Sequence, residues 1–346
     1  MALRNFNKSQ GYNTATPRND YQKAAKQISK VAKKLSPSQK RTAGIVIAVL
    51  VAIVLLFGIL MATGVIDEQK LKVKLGLADK PATDSSTSVH FVDVGQGDCS
   101  LIISDGEAVL IDAGELEYGD DVVKYLKAQN VKKLKYVIVS HQHTDHMGGM
   151  SAVIENFEIG ELIMPPIPDE LFPTNSTYDK FLDTLEEYDT VVTEAENKST
   201  IKVGSVDLVM YVQDVNAGYE DLNNFSIAVK ATHGDNSFIF AGDAEFDEED
   251  RLSKSGYDLS AKVMKVNHHG SGGSSGYNFL GAVKPKYAVI SVGANNDYGH
   301  PKQAAITRIQ KYCGDNIYRT DECGSIVFES DGEGLNILFE KKAGSN

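Results

Sequence analysis

Between Val139 and Gly149 the chain reads VSHQHTDHMGG, placing His141, His143, Asp145 and His146 within six residues. Imidazole nitrogens and carboxylate oxygens at that density suit zinc and related divalent ions. His141 and His143 are two apart, so on extended backbone their side chains share a face and can grip one ion. Asp145 and His146 fall where the chain turns, free to serve a second. Gly148 and Gly149 let a helix start close by. A lone histidine is usually a core or surface residue; His-x-His-x-Asp-His behind an apolar strand calls for another explanation.

The other histidines narrow it. Of eight in the chain, two more, His268 and His269, stand in NHHGS, and His300 stands in YGHP. These follow the apolar runs KVMKV and YAVISV, and strand ends along one sheet edge can pool their side chains. His90, at a strand start, and His233, in a His-Gly-Asp turn, read as structural. Asp243 closes the run FIFAGD. Gly-Asp after a strand is ordinarily a turn. Between two histidine clusters it becomes a candidate bridge, because one carboxylate can span two cations about 3.5–4 Å apart. Gly270, Ser271, Gly272 and Gly273 form a small-residue loop whose amides can face an anion; a plain flexible connection is the other reading.

Elements must bring these residues together. VHFVDV, SLIIS and AVLIDAG are short strands divided by Gly-Asp turns. Residues 120–130 have helical periodicity, 135–140 form a buried strand, and MGGMSAVIENF opens a helix. Strands follow over 201–212, 225–243 and 262–269, helices around 277–283 and 301–312, and closing strands in NIYRT, SIVFES and LNILFE. Strand-rich runs with helices between and after them fit an α+β class: two sheets packed together and covered by helices.

With these motifs in place, the chain resembles the metallo-β-lactamase fold superfamily of binuclear hydrolases. More narrowly, VDVGQGDCSLI, NHHGS, ISVGANNDYGHP and YRTDECGSI resemble the metallo-hydrolase domain of ComEC-type competence proteins. The resemblance covers about residues 89–340. It implies a four-layer αββα sandwich with two divalent ions, Zn or Mn, at the shared sheet edge. It assigns His141 and His143 to the first ion. Asp145, His146 and one of His268 and His269 go to the second, with Asp243 as the bridge. His269 is favoured as the ligand, with His268 facing substrate, because neighbours on an extended segment point to opposite faces. Many members carry a further histidine on a strand before the bridging aspartate. Here that region reads NNFSIAVKA, and Asn224 and Ser226 stand in its place. The first ion then has only two histidines and the bridge.

Charge is uneven. Residues 1–66 hold ten Lys/Arg and one acid, Asp20; residues 67–346 hold twenty-five Lys/Arg and forty-six acids, a net of −21. Residues 42–66, TAGIVIAVLVAIVLLFGILMATGVI, carry no charge and no polar stripe, and about 20 helical residues span a bilayer. Lysine and arginine before this stretch place the N-terminus in the cytoplasm and the body outside the cell. The run exceeds a cleavable signal's apolar core, so an uncleaved anchor is expected. The expected organisation is a basic tail at 1–41, the span at 42–66 in contact with membrane lipid, a linker at 67–88 and a hydrolase domain at 89–342. Periodic apolar positions from Tyr21 to Leu35, with lysines opposite, read as a helix on anionic headgroups or as a solvated tail. Outside the cytoplasm Cys313 and Cys323, ten apart around a short hairpin, are either bridged or free; Cys99 is a core residue.

Paired divalent ions make hydroxide available at neutral pH and need no protein nucleophile. Asp145 is a candidate catalytic carboxylate. His268 and His300 are candidates to protonate a leaving group or hold a non-bridging oxygen. A phosphodiester, DNA included, is the leading substrate class. The acidic body opposes polyanion binding, which depends on Lys/Arg. Glu245, with Ser271 and His300, would instead suit a phosphocholine ester on a surface polymer. β-Lactam hydrolysis and a non-catalytic tethered binding module are further readings. No protein partner is inferable.

Overall fold

The computed structural model describes residues 85–341. The expected tail and membrane span lie outside those residues, and no helix among them is long and apolar enough to cross a membrane.

Two sheets form the body. The first takes β1 (Thr87–Phe91), β2 (Ser100–Ser104), β3 (Glu107–Ile111), β4 (Lys133–Ile138), β5 (Glu158–Met164) and β6 (Val192–Glu194). The second takes β7 (Thr200–Val203), β8 (Val206–Tyr211), β9 (Ala228–His233), β10 (Asn236–Phe240), β11 (Val263–Lys265), β12 (Tyr287–Ile290) and β13 (Ile317–Arg319). The hairpin β14 (Ile326–Ser330) and β15 (Leu335–Phe339) returns to the first sheet. Strand order is β15-β14-β1-β2-β3-β4-β5-β6 in one and β13-β12-β11-β10-β9-β8-β7 in the other. β1 begins at Thr87, two residues inside the expected linker, because Ser330 and Ser104 pair with it on either side.

Alternation along the strands builds three cores. Val109 and Ile111 of β3 face the second sheet and meet Val229, Phe238 and Phe240. Ala108 and Leu110 face outward, against α1 (Gly119–Ala128), α3 (Met150–Asn156) and α4 (Ser176–Glu187); the one-turn α2 (Thr144–Met147) precedes α3. On the far side, Ile239, Met264 and Ile290 pack under α5 (Phe246–Lys254), α6 (Tyr277–Val283) and α7 (Gln303–Cys313). Helices therefore cover the outer face of each sheet. A one-residue register slip would turn every apolar side chain to the wrong layer.

Cys313 ends α7, and Cys323 sits in the turn α8 (Thr320–Cys323). No hairpin lies between them: β13 pairs with β12 in parallel. Cys313 belongs to the helix-covered outer core and Cys323 to the core between the sheets, so a sheet separates them and both are free.

β3, β4 and β5 run parallel, as do β10 to β13. Ligands in such sheets bind beyond the carboxyl ends of the strands. That edge is where the histidine motifs emerge.

Candidate metal centre

Five chain segments meet at this edge. The 92–99 loop after β1 brings Asp98, β3 is followed by Asp112, β4 by Ser140–His146, β10 by Asp243, and β11 by Asn267–Gly270. Two close approaches hold them in place. A Cβ on Gly97 would run into the Asp145 carbonyl. At Gly242 (φ +50) one would meet the Ser140 and Ser226 hydroxyls, each at 2.8 Å.

Ligand atoms of Asp145, His146, Asp243 and His269 lie within 4.8 Å of one another. Asp243 Oδ1 is 3.3 Å from His146 Nε2, and Oδ2 is 3.3 Å from His269 Nε2. Asp145 Oδ2 lies 3.1 Å from His269 Nε2. His141 Nε2 and His143 Nδ1 approach to 3.1 Å beside this group. The set fits a divalent cation: His146 Nε2 and Asp243 Oδ1 are buried without a hydrogen-bond partner, although donors and acceptors crowd around them. Buried polar atoms are normally satisfied, and a shared cation would satisfy both.

Electrostatics agree. Burial alone would depress the imidazoles of His146 and His269. Asp243 outweighs it, with Asp145 and Asp112 at His146 and with Asp98 at His269, and both rings sit well above the usual range. Burial would likewise raise the Asp243 carboxyl, yet His269 and His146 hold it well below the ordinary carboxylate range. The negative field that attracts protons here attracts a dication equally.

Residues outside the histidine motifs surround this set. Asp112 accepts from Ser140 N and Oγ, each at 2.7 Å, and contacts His146 Nδ1 at 2.9 Å. That fixes the imidazole with Nε2 towards Asp243, the usual way a carboxylate orients a ligating histidine. Asp98 Oδ1 is 3.4 Å from His269 Nδ1, which also contacts the Ser291 carbonyl at 2.9 Å. Lys265, only 2% exposed, pairs with Asp98 and lies 3.7 Å from Asp243 Oδ1. Its one signal in the sequence is a lysine inside the apolar run KVMKV, where a charge needs a partner.

Ser226 is buried where the further histidine was expected. Its Oγ lies 3.4 Å from His141 Nδ1 and accepts from Asp243 N at 3.2 Å. Asn224 Oδ1 accepts from Glu245 N. Neither offers an imidazole to the His141–His143 pair.

His268 and His269 are not on extended backbone: both lie in the left-handed region, at φ 49° and 50°, in a 3-10 turn. Such strain in non-glycine residues costs about 1–3 kcal/mol each and persists only where surroundings enforce it. Glu249 of α5 does so. Its buried carboxylate accepts from Asn267 Nδ2 at 2.7 Å, Ser275 N at 2.5 Å and Gly276 N at 2.7 Å, clamping both ends of the loop. Burial pushes this carboxyl up to about 7 despite those donors. Because the folded value exceeds the unfolded one, the folded state holds the extra proton between pH 4.5 and 7. Glu249's contribution is therefore full below 4.5 and lost as pH rises to 7. Denaturant midpoints of the wild type and of Glu249→Gln at pH 5 and pH 7 should show a larger fall with pH in the wild type; equal falls would contradict the assignment.

A cleft of about 520 Å³ opens over the centre, lined by Gln96, His143, Asp145, Asp243, His268, His269, Tyr298 and His300 among others. His268 Nε2 is 3.7 Å from Asp243 Oδ2, and its ring meets that of His300 edge-on at 5.7 Å. Burial, then His268 and His269, lower His300 to about 4. It is neutral at pH 7 and equipped to hold an oxygen rather than to act as an imidazolium acid. Glu245 and Ser271 do not line the cleft: Glu245 reaches His268 Nδ1 at 3.4 Å, and Ser271 Oγ accepts from Gly273 N. A larger concavity of about 870 Å³ lies beyond Gln96, but carboxylates line it and no histidine does, so the chemistry is in the smaller one. His90 is buried between Ser88 and Tyr125, at 2.8 Å from each, and His233 contacts Ser330.

The family model described as the metallo-beta-lactamase superfamily matches residues 92–294. The chain is 28% identical over 267 residues to ComE operon protein 3 of Bacillus subtilis (strain 168), covering 72% of this chain and 34% of that protein. It is 29% identical over 247 residues to competence protein ComA of Neisseria gonorrhoeae, covering 71% and 32%. The chain thus spans about a third of the length of these curated relatives. Among solved structures, the metallo-beta-lactamase fold protein YhfI from Bacillus subtilis is 12% identical, with a TM-score of 0.46, over 70% of this chain and 100% of that one.

Proposed function

Because this chain belongs to the metallo-beta-lactamase superfamily, we propose that it is a metal-dependent hydrolase of phosphodiester bonds, anchored through residues 42–66 with its hydrolase domain outside the cell. The observation that carries the hydrolase reading is the convergence of Asp145, His146, Asp243 and His269 beneath an open cleft. The likeness to competence proteins supports a nucleic-acid phosphodiester.

Asp145, His146, Asp243 and His269 would hold one divalent ion, zinc or manganese. His141, His143 and Asp243 would hold a second, more weakly, since Ser226 brings no nitrogen. The ions would lower the pKa of water and offset charge on the reacting phosphoryl group. The chain's own residues do the rest. Asp112 and Asp98 fix the two imidazoles, the strained turn presents His268 to the cleft, and neutral His300 holds a substrate oxygen. The phosphocholine reading has less support, because Glu245 lies against His268 and is not among the residues that line the cleft.

The test is a panel on the full chain in detergent: bis-p-nitrophenyl phosphate, single-stranded DNA, p-nitrophenylphosphorylcholine and nitrocefin. Turnover of the first two should vanish after chelation and return with zinc or manganese. Turnover of nitrocefin alone would sink the phosphodiester reading. Metal content that persists without any turnover would leave a binding module. For topology, protease added to intact cells should cleave the body; protection of the body would reverse the orientation.

A further inference from the structure

Basic tracts interrupt the acidic body, among them residues 122–144, with five lysines and no acid, and a longer one that includes α7. Residues 259–314 hold seven Lys/Arg and a single acid, Asp297, although 67–346 carries a net −21. Three of these cations lie on α7 or at its start. Lys302 Nζ donates to the Tyr298 carbonyl at 2.6 Å, and Lys311 Nζ to the Tyr277 hydroxyl at 2.6 Å. Arg308 donates only to the carbonyls of Gly272, Ser274 and Ser275. None has a carboxylate partner among the described residues, whereas Lys124, Lys135, Lys202, Lys254 and Arg319 are all paired with acids. Asp250, a nearby acid on α5, is taken up by Lys254 and Asn278.

Large aromatic side chains stand exposed among these cations. Lys311 Nζ lies over the Tyr277 ring at 4.3 Å, and Arg308 over Phe246 at 5.3 Å. Tyr277 is 47% and Phe246 43% exposed. Tyr298, 65% exposed, is at the cleft and stacks on His300 with planes 15° apart. Its loop is clipped by Asn296, which donates to the His300 carbonyl and accepts from His300 N. Arg308 and Phe246 N both bond the loop that continues from His269, so this surface is continuous with the metal centre.

Unpaired cations interleaved with exposed rings match the chemistry of single-stranded nucleic acid: phosphates meet the cations, and bases stack on rings whatever their sequence. In a duplex the bases are already stacked on each other and cannot do this. We propose that the outer face of α6 and α7 is a binding track for single-stranded nucleic acid, leading to the cleft past Tyr298. Tyr298 takes the base nearest the site, Tyr277 and Phe246 take outer bases, and Lys302 and Lys311 take phosphates. The track rests on the phosphodiesterase reading for where the strand leads, not for its binding.

The experiment is fluorescence anisotropy with the full chain in detergent, using labelled dT20 and a 20-base-pair duplex over a salt series. The basic N-terminal stretch is common to all variants, so only differences between variants count. Lys302→Glu/Lys311→Glu should weaken dT20 binding at least about tenfold. It should also flatten the slope of log Kd against log salt by about 1.4, since each phosphate neutralised on a single strand accounts for about 0.7. Tyr298→Ala/Tyr277→Ala should weaken dT20 at least about tenfold with the slope unchanged, while Tyr→Phe at both positions keeps affinity. Circular dichroism screens out misfolded variants. Unchanged affinity in both double variants, or an equal loss of duplex and dT20 affinity in Tyr298→Ala/Tyr277→Ala, overturns the track. Turnover of bis-p-nitrophenyl phosphate by the wild type separates the two ideas. Turnover without variant-sensitive dT20 binding removes the track alone; variant-sensitive binding without turnover removes the phosphodiesterase alone.

Discussion

Replacing Asp243 by alanine should strip the centre of its tightly held metal and lower turnover of bis-p-nitrophenyl phosphate by about 10³-fold or more. Among the described residues Asp243 is the one carboxylate within 3.3 Å of both His146 and His269, an oxygen towards each. Removing it would delete the carboxylate proposed to bridge the two ions. Charge stabilisation by such ions is worth several kcal/mol, and each 1.36 kcal/mol is tenfold in rate. Metal content by mass spectrometry and steady-state kinetics read the two effects separately. Full metal content in Asp243→Ala would show that the ion sits elsewhere. His143→Ala should cost less metal than His269→Ala, because the His141–His143 pair lacks a third imidazole.

Lys265→Met should destabilise the domain by about 3–5 kcal/mol, because it leaves Asp98 buried with its cation gone. The corresponding fall in Tm is roughly 6–20 °C. Lys265 pairs with Asp98 and donates to the Gly242 carbonyl at 3.3 Å, tying the 92–99 loop to β11 beneath the metal centre. Burial would depress its amine, but Asp98 and Asp243 hold it above the usual range, so the ammonium is the form present. The double variant Asp98→Asn/Lys265→Met should recover more than half of the loss, since neither charge is then stranded. Thermal unfolding of wild type, single and double variants completes the cycle. A single variant within about 2 °C of wild type would mean that the pair does not hold this edge together.

Legibility in the sequence followed what each signal depends on. Period-two apolar runs made the strands readable, because burial on one sheet face imposes that period whatever the fold. The His-x-His-x-Asp-His motif was readable because all of its members are local. Asp112, a lone acid after a strand, looks like a turn, and Asp98 stands in the VDVGQGDCSLI motif without a histidine beside it; their roles exist only once β1, β3, β4 and β11 come together at this edge. The region from 157 to 200 carries no single clear period in its sequence, although it supplies β5, α4 and β6. The Cys313–Cys323 spacing allowed a bridge that the intervening sheet forbids. Glu245 and Ser271 sit near ligands in sequence, yet neither is among the residues that line the cleft.

By itself the sequence determined the two-sheet α+β class, the family and the residue types of a metal centre, because periodicity and clustered ligands are properties of short segments. It also carried the charge divide between tail and body. Tertiary structure alone decided which atoms face one another. The left-handed turn, held by Glu249, brings His269 to Asp145 and Asp243 and leaves His268 at the cleft. Lys265 became a partner of Asp98 across some 170 residues of chain. The cations of α7 became a track only when the fold set them beside Tyr277, Phe246 and Tyr298, residues that no sequence window joins.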